Sequence, residues 1–163
     1  MINLKDIKNN VLKKENIYFL VLILFIFFLD RYSKNQILNN FNESKFYIND
    51  YFNFDLTWNT GIGFGLLSTE MNIIYNFITI FIGVVILILL LISIKSDIKD
   101  KFLFSLIIGG ALGNFYDRVT YKAVPDFIDV HYNNFHWFTF NVADVFITLG
   151  ITFFISRSLF VKD

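Results

Sequence analysis

Residues 73–92 read IIYNFITIFIGVVILILLLI, a run of twenty residues without a charged side chain. A helix of about 20 mainly apolar residues crosses the roughly 30 Å of hydrocarbon in a bilayer. The composition agrees, because 55% of the 163 residues are hydrophobic and 22 are Phe, which is too apolar for an ordinary soluble globule. The run therefore predicts a membrane-spanning helix, and the rest of the chain is interpreted from it.

Three further segments have the character of membrane spans. Ile17 begins the first apolar run, Phe102 begins a shorter glycine-rich run, and the last run contains the charged Asp144. The sequence predicts an all-α integral membrane protein, a single domain with four transmembrane helices. In chain order we expect a basic N-terminus at 1–16, a span at 17–38, an outer β-like segment at 39–68, a span at 70–94, an inner loop at 95–101, a span at 102–116, an outer loop at 117–139, a span at 140–160 and a tail at 161–163.

The distribution of Lys and Arg predicts the orientation of these spans. An even number of spans puts both termini on the same side of the membrane. If the termini are cytoplasmic, the inner segments carry nine of the 14 Lys and Arg residues and the outer segments carry five. Because positive charge accumulates in cytoplasmic segments, we expect cytoplasmic termini and outer segments beyond the cytoplasmic membrane.

The outer segments indicate further structure, and the composition excludes several classes of site and partner. Residues 39–68 alternate aromatic and polar side chains with a period near two, which predicts short strands lying on the membrane surface. The chain has no cysteine, which excludes a thiol nucleophile, a disulfide and an iron–sulfur centre. The formal net charge is zero, which argues against a nucleic-acid partner.

Four acidic residues in or beside the predicted spans are candidates for chemistry, because an ionisable side chain there costs several kcal/mol unless it is paired or wetted. Asp144 lies about one turn into an apolar helix, and Asn141 precedes it on the same face. Taken alone, Asp144 could also be a hydrated carboxylate at the start of a helix. Asp126 taken alone could be an exposed loop carboxylate. Asp126 and Asp144 can meet at the outer rim of the membrane. The four residues are Asp30, Asp117, Asp126 and Asp144.

The third span ends in a second polar group. Asn114, Asp117 and Arg118 have i, i+3 and i+4 spacing and share one helix face. Gly109 and Gly113 have the small-xxx-small spacing that lets helices approach closely, so we assign them to packing.

The sequence offers few residues for a metal site, a nucleophile motif or a nucleotide site. His131 and His136 are five residues apart, which matches no zinc spacing on a helix, and no third ligand is evident. The sequence has no nucleophile motif of the GxSxG type and no phosphate-binding P-loop. We therefore expect no metal, nucleotide or other cofactor, and carboxylates are the chemistry that remains.

The alternative to an enzyme is a small transporter or channel subunit in which Asp30, Asp126 and Asp144 relay protons or bind cations. A transport route needs polar residues along its full depth. In the second span the candidates are Asn72 and Asn76, both near its outer end. This one-sided placement favours an enzyme. A purely structural assembly protein, the third class, leaves the acidic pair unexplained.

Four blocks of the sequence resemble the signature blocks of lipoprotein signal peptidase, the type II signal peptidase of bacteria. They occur in the family's order and near its spacing, and Asp30 with Lys34 resembles the family's first block. The resemblance extends over about residues 17–160. The four blocks are WNTGIGFG at 58–65, GGALGNFYDR at 109–118, VPDF at 124–127 and FNVAD at 140–144.

The resemblance implies a four-helix aspartyl peptidase of the bacterial plasma membrane, with its active site at the extracytoplasmic face. It also implies that residues 39–68 form a small extracytoplasmic β-cradle on the membrane surface. The expected reaction removes the signal peptide from diacylglyceryl-modified prolipoproteins, on the amino side of the lipidated cysteine. We also expect a monomer, contact with the bilayer, no cofactor, and inhibition by globomycin-type compounds. By the same resemblance the catalytic pair is Asp126 and Asp144, the site is lined by Asn59, Gly61, Asn114, Arg118 and Asn141, and Asp30, Lys34 and Asp117 are supporting residues.

The sequence departs from the family pattern at a few positions. In the block at 58–65, Ile62 and Gly63 replace a usual pair of small residues after the glycine Gly61. Lys122 and Ala123 stand where the family has a glycine and an aromatic residue, and Pro125 replaces a common valine. These changes leave the acidic pair intact and affect only the expected loop geometry.

Overall fold

The computed structural model describes residues 13–40, 45–61, 72–133 and 135–160. Within these ranges the protein is mostly helical, with a small antiparallel sheet at one end of a helix bundle. The helices are α1 (Lys14–Asn40), α2 (Asn72–Lys95), α3 (Ile98–Tyr121) and α4 (Val142–Phe160). The strands are β1 (Phe46–Tyr47), β2 (Phe52–Asn59), β3 (Val124–Tyr132) and β4 (Phe135–Phe140).

Three of the helices are long and apolar enough to cross a membrane, judged by length and composition over the described residues. They are Lys14–Asn40, Tyr75–Lys95 and Val142–Phe160. Large apolar side chains such as Phe25, Phe81 and Phe153 are exposed along them. In water that exposure would be unfavourable, so these faces fit a lipid environment.

Helix α3 is the central helix, and it packs against the other three helices. Most of its residues from Lys101 to Gly110 are buried. Because protein rather than lipid surrounds this helix, it can contain glycines and polar residues that a lipid-facing helix would exclude. This explains why its sequence predicted only a short span, at residues 102–116, whereas the helix has 24 residues.

Both ends of α3 have identifiable signals. Asp97 caps the N-terminus, where its side chain accepts a hydrogen bond from the backbone N–H of Asp100. At the C-terminus Lys122 adopts a left-handed conformation with φ of 59°, a position that favours glycine. The sequence departure at Lys122 therefore places a strained residue between α3 and β3.

Close helix packing is confirmed at the glycines of α3. A Cβ at Gly109 would lie 2.8 Å from the Cβ of Ile26, and one at Gly113 would collide with the carboxyl group of Asp30. On the neighbouring face, a Cβ at Gly110 would lie 2.5 Å from the carbonyl oxygen of Ala143. Glycine thus lets α1 and α4 approach α3 at the level where the polar residues lie.

The sheet is larger than the predicted cradle, and this corrects one expectation. The segment at 117–139, predicted as an outer loop, consists of the last turn of α3 and most of a β-hairpin formed by β3 and β4. β3 also pairs with β2, so the strand order is β1-β2-β3-β4. The hairpin was missed because β3 is buried on both faces over residues 124–127, and its buried positions include the polar Asp126, Asp129 and His131, so the sequence has no clear alternation.

Several predicted segments fall outside the described residues. These are most of the basic N-terminus, the end of the block at 58–65 with its glycines Gly63 and Gly65, and the tail at 161–163. Helices α1, α2 and α4 begin and end within three residues of the segments predicted as spans, whereas α3 is longer than its predicted segment, and the span boundaries themselves stay a prediction.

Candidate active site

The polar residues singled out in the sequence meet at the end of the bundle that carries the sheet. α3 ends there and α4 begins there, while β2 and β3 supply two further residues. One continuous hydrogen-bond network connects all of them. Its members are Asp30, Lys34, Asn59, Gly61, Asn114, Asp117, Arg118, Asp126, Asn141 and Asp144.

Asp126 is the third residue of β3 and is almost fully buried. Its two carboxyl oxygens accept hydrogen bonds from different amides. Asn59 Nδ2 donates to Oδ2 at 2.8 Å, and Asn141 Nδ2 donates to Oδ1 at 2.6 Å. Pairing of β2 with β3, in which Asn59 lies opposite Val124, brings the first of these amides to the carboxylate.

Asp144 lies in the first turn of α4, where it forms a reciprocal cap with Asn141. The Asn141 side chain accepts from the backbone N–H of Asp144 at 3.1 Å, and Asp144 Oδ2 accepts from the backbone N–H of Asn141 at 3.2 Å. This is the geometry of a capping box with Asn and Asp in place of the usual residues. Asn141 therefore contacts both carboxylates, and it joins Asp126 to Asp144.

The three asparagines share one arrangement, in which the amide oxygen is held and the amide nitrogen points to a carboxylate. Asn59 Oδ1 accepts from the N–H of Gly61, and Asn141 Oδ1 accepts from the N–H of Asp144. Asn114 Oδ1 accepts from Lys34 Nζ at 2.9 Å, so that its Nδ2 donates to Asp144 Oδ1 at 2.8 Å. Fixing the oxygen fixes the orientation of the whole amide.

Lys34 is fully buried and uses all three of its ammonium hydrogens. It donates to Asp30 Oδ2 at 2.8 Å, to Asp117 Oδ2 at 2.7 Å and to Asn114 Oδ1. The other oxygen of Asp30 accepts from the backbone N–H of Ala143 at 3.0 Å. This cluster therefore links α1, α3 and the start of α4, and it holds Asn114 toward Asp144.

Arg31 also belongs to this cluster, and the sequence reasoning missed it. Its guanidinium forms an ion pair with Asp117 and lies over the ring of Tyr116. The available signal was its position beside Asp30 at the end of a predicted span, where an arginine needs a partner.

Arg118 positions the end of the β2 segment. Its guanidinium donates to the carbonyl oxygen of Gly61 at 2.9 Å and to the carbonyl oxygen of Asn114 at 3.1 Å. Gly61 in turn donates to Asn59, so Arg118 supports the amide that contacts Asp126.

An apolar cavity of about 230 Å³ opens beside Asp144. A larger cavity of about 630 Å³ lies at the opposite end of α3 and α4, near Lys101 and Arg157, and is separate from the network. We attach the smaller cavity to the site because Asp144, a residue of the network, is one of its lining residues. Its lining residues are Phe138, Phe140, Asp144, Val145, Thr148 and Leu149.

The protonation of Asp126 should make the stability of the protein depend on pH. Burial, and after it the charge of Asp144, raise the pKa of Asp126 from 3.8 to about 6, although Asn59 and Asn141 oppose the shift. Between about pH 4 and 6 the folded protein therefore retains a proton that the unfolded chain has released. The free energy of unfolding should fall as the pH rises through this interval, by at most about 3 kcal/mol from this group.

Denaturant unfolding of the detergent-solubilised protein at pH 4, 5, 6 and 7 checks this expectation. Asp126→Asn should remove most of the decrease between pH 4 and 6, whereas Asp55→Asn, at the partly exposed ion pair with Lys45, should retain it. An unchanged pH dependence in Asp126→Asn would contradict the raised pKa.

Comparison with known proteins finds similarity along nearly the whole chain. The family profile described as Signal peptidase (SPase) II matches residues 22–160. A protein of Pelagibacter ubique named lipoprotein signal peptidase is 47% identical over 158 residues, which cover 94% of this chain and 95% of that protein. The lipoprotein signal peptidase of Francisella tularensis subsp. mediasiatica is 40% identical over 162 residues, covering 94% and 98% of the two chains.

Two solved structures have the same fold. One is a bacterial membrane enzyme determined by the in meso method at 2.3 Å, with a TM-score of 0.75, 29% sequence identity and coverage of 87% of each chain. The other is a bacterial membrane enzyme determined by the same method at 1.9 Å, with a TM-score of 0.73 and 27% identity. It covers 89% of this chain and 94% of the solved chain.

Proposed function

The chain belongs to the signal peptidase II family, and on that premise we propose that it is an aspartyl endopeptidase of the bacterial plasma membrane. Its substrates are diacylglyceryl-modified prolipoproteins, which it cleaves on the amino side of the lipidated cysteine to release the signal peptide. The observation that carries the aspartyl mechanism is the link through Asn141, whose amide contacts Asp126 while its backbone N–H contacts Asp144.

In the proposed mechanism Asp126 and Asp144 act as one unit. Two neighbouring carboxylates cannot both ionise easily, so they share one proton and titrate together. The ionised member takes a proton from water, and the resulting hydroxide adds to the scissile carbonyl carbon. The protonated member donates to the carbonyl oxygen, and a proton then passes to the leaving amine as the C–N bond breaks.

The surrounding residues hold this pair and receive the substrate. Asn59, Asn114 and Asn141 each direct one amide N–H at a carboxylate, and the second N–H of the amide can bind a carbonyl oxygen of an extended peptide. Gly61 and Arg118 hold the segment after β2 in place. The cluster of Asp30, Lys34 and Asp117, together with Arg31, fixes α1, α3 and α4 beneath the site.

We propose that all four helices span the membrane, α3 in addition to the three helices that are apolar enough by themselves. We also propose that both termini are cytoplasmic. Shielding by α1, α2 and α4 supports a span for α3 despite its polar residues. The excess of Lys and Arg in the inner segments supports the orientation, which puts the sheet and the site at the extracytoplasmic face. A site there meets both water for hydrolysis and lipid for the acyl chains of the substrate.

The apolar cavity beside Asp144 suits this substrate. All six of its lining residues come from β4 and the outer half of α4. An apolar side chain of the signal peptide or an acyl chain placed there would bring the scissile bond next to the carboxylates. We propose that the protein acts as a monomer and without a cofactor.

The direct test is cleavage of a diacylated prolipoprotein by the purified, detergent-solubilised protein, followed by gel mobility and mass spectrometry. We expect release of the signal peptide with the lipidated cysteine as the new N-terminus, and suppression of cleavage by globomycin. The matched control is the same precursor with its cysteine unmodified, which should be cleaved far more slowly. Absence of cleavage of the lipidated precursor by folded protein would refute the proposal.

A further inference from the structure

A second group of polar side chains lies on the sheet, apart from the network described above. Asp129 and His131 belong to β3, and His136 belongs to β4. His131 and His136 are cross-strand partners, and their rings are stacked with centroids 5.3 Å apart. One ligand atom from each of the three residues lies within 4.8 Å of the other two.

Two of these three residues are buried, and within the described part of the chain one of their nitrogens has no hydrogen-bond partner. Asp129 is 2% exposed and His131 is 6% exposed. His131 Nδ1 is buried, has no hydrogen-bond partner among the residues that the structure describes, and lies 3.6 Å from Asp129 Oδ2. A buried polar atom without a partner is costly, so its occurrence calls for an explanation.

The three atoms have the identity and nearly the spacing of a metal site. Imidazole nitrogen and carboxylate oxygen bind Zn²⁺ at about 2.0–2.2 Å, so neighbouring ligands of a tetrahedral ion are about 3.3 Å apart. The separation of 3.6 Å between His131 Nδ1 and Asp129 Oδ2 is close to that value. His136 Nδ1 lies 2.7 Å from the same oxygen and would have to move away by a fraction of an ångström.

We propose that Asp129, His131 and His136 form a binding site for a divalent transition-metal ion of the zinc type. The ion would join β3 to β4 and leave at least one coordination position for water, because His136 is on the exposed side of the cluster. The site shares β3 with Asp126 but uses none of the residues of the network. It does not depend on the proposed peptidase activity.

The neighbouring Asn53 can support this coordination. Its amide nitrogen lies 3.3 Å from His131 Nε2. Metal binding at Nδ1 leaves the ring proton on Nε2. A half-turn of the Asn53 amide would then present its oxygen as the acceptor, at the cost of the 3.3 Å hydrogen bond that this oxygen accepts from the backbone N–H of Ile48. A metal-bound histidine commonly donates its other ring N–H in this way.

The sequence reading excluded this site because it assumed helical spacing. A separation of five residues between His131 and His136 cannot place both side chains on one ion when they lie on a helix. In a hairpin with a short turn, the same separation makes them direct cross-strand neighbours. Asp129, two residues before His131, supplies the third ligand.

The test is isothermal titration of the full chain, purified in detergent without a histidine tag and treated with a chelator, with zinc chloride as the probe. We expect saturable binding of one ion per chain. His136→Gln should weaken it at least tenfold, since the loss of even an outer-shell partner commonly costs about 10–100-fold in affinity. Because His136 is partly exposed, this variant should fold normally, and its unfolding temperature verifies that.

The matched control is Asp55→Asn, which removes a carboxylate from β2 of the same sheet and should leave the affinity unchanged. Failure of zinc to bind would show that the three residues form only a hydrogen-bonded His–Asp group, and would overturn the proposal. Unchanged affinity in His136→Gln, or lost affinity in Asp55→Asn, would place the ion elsewhere and would also overturn it. The prolipoprotein cleavage assay has a separate readout, so failure of one proposal leaves the other testable.

Discussion

Single replacement of Asp126 or Asp144 by asparagine is expected to lower the rate of prolipoprotein cleavage by about 10²–10⁴-fold, the usual contribution of a positioned general acid or base. Asparagine retains the shape of the side chain but neither takes nor gives the proton that the pair shares. Because the two residues act as one unit, the double variant should be little slower than the slower single variant. The measurement is the initial rate with a diacylated precursor under single-turnover conditions.

Two controls separate loss of chemistry from loss of structure. Asp55→Asn changes a partly exposed carboxylate of the same sheet and should retain the full rate. The unfolding temperature of each variant reports on folding, which matters because Asp126→Asn places an amide opposite the donors of Asn59 and Asn141. Full activity in a folded variant of either aspartate would remove the paired-carboxylate mechanism.

Replacement of Lys34 by methionine is expected to produce the largest loss of stability, about 3–5 kcal/mol in the free energy of unfolding. Methionine fills most of the space but removes the charge that Asp30 and Asp117 share. The burial of Lys34 means that water cannot easily replace its ammonium group. Denaturant unfolding in a fixed detergent, followed by tryptophan fluorescence, measures the effect.

The matched control is Lys45→Met, which breaks a lysine–aspartate ion pair of the same 2.7 Å length whose lysine is 65% exposed. It should cost less than about 1 kcal/mol, because water screens an exposed pair. Adding Asp30→Asn to Lys34→Met should recover part of the loss, since it removes one of the two carboxylates left without the lysine. Equal losses of unfolding free energy for Lys34→Met and Lys45→Met would show that burial does not increase the contribution of the Lys34 ion pairs to stability.

Much of the helical architecture could be predicted from hydropathy. Helices α1, α2 and α4 face outward along much of their length, so their sequences must be apolar wherever lipid would contact them. Helix α3 was predicted too short because its neighbours cover it, and it was therefore free to contain Asn114, Asp117 and Arg118. The hairpin of β3 and β4 was predicted as a loop because burial of β3 on both faces hides the two-residue period.

The sequence singled out the residues of the hydrogen-bond network, although not the adjoining Arg31, but it could not predict their contacts. Asp126 and Asp144 stood out because a carboxylate at a membrane edge needs a partner, and the resemblance of the four blocks to a known family supplied their proposed roles. Which atom each amide presents to which carboxylate depends on three elements distant in sequence. No local pattern predicts that Asn141 would both cap α4 and contact Asp126.

The sequence by itself determined a membrane protein with most of its candidate site residues at one end, because the energy of placing charge in hydrocarbon acts on every residue separately. Tertiary structure decided the pairings: Lys34 with two buried aspartates, Asn141 between the carboxylates, and His131 opposite His136. Hydrogen bonds and ion pairs are short and directional, so they depend on the packing of helices and the register of strands. That information resides in the folded chain as a whole.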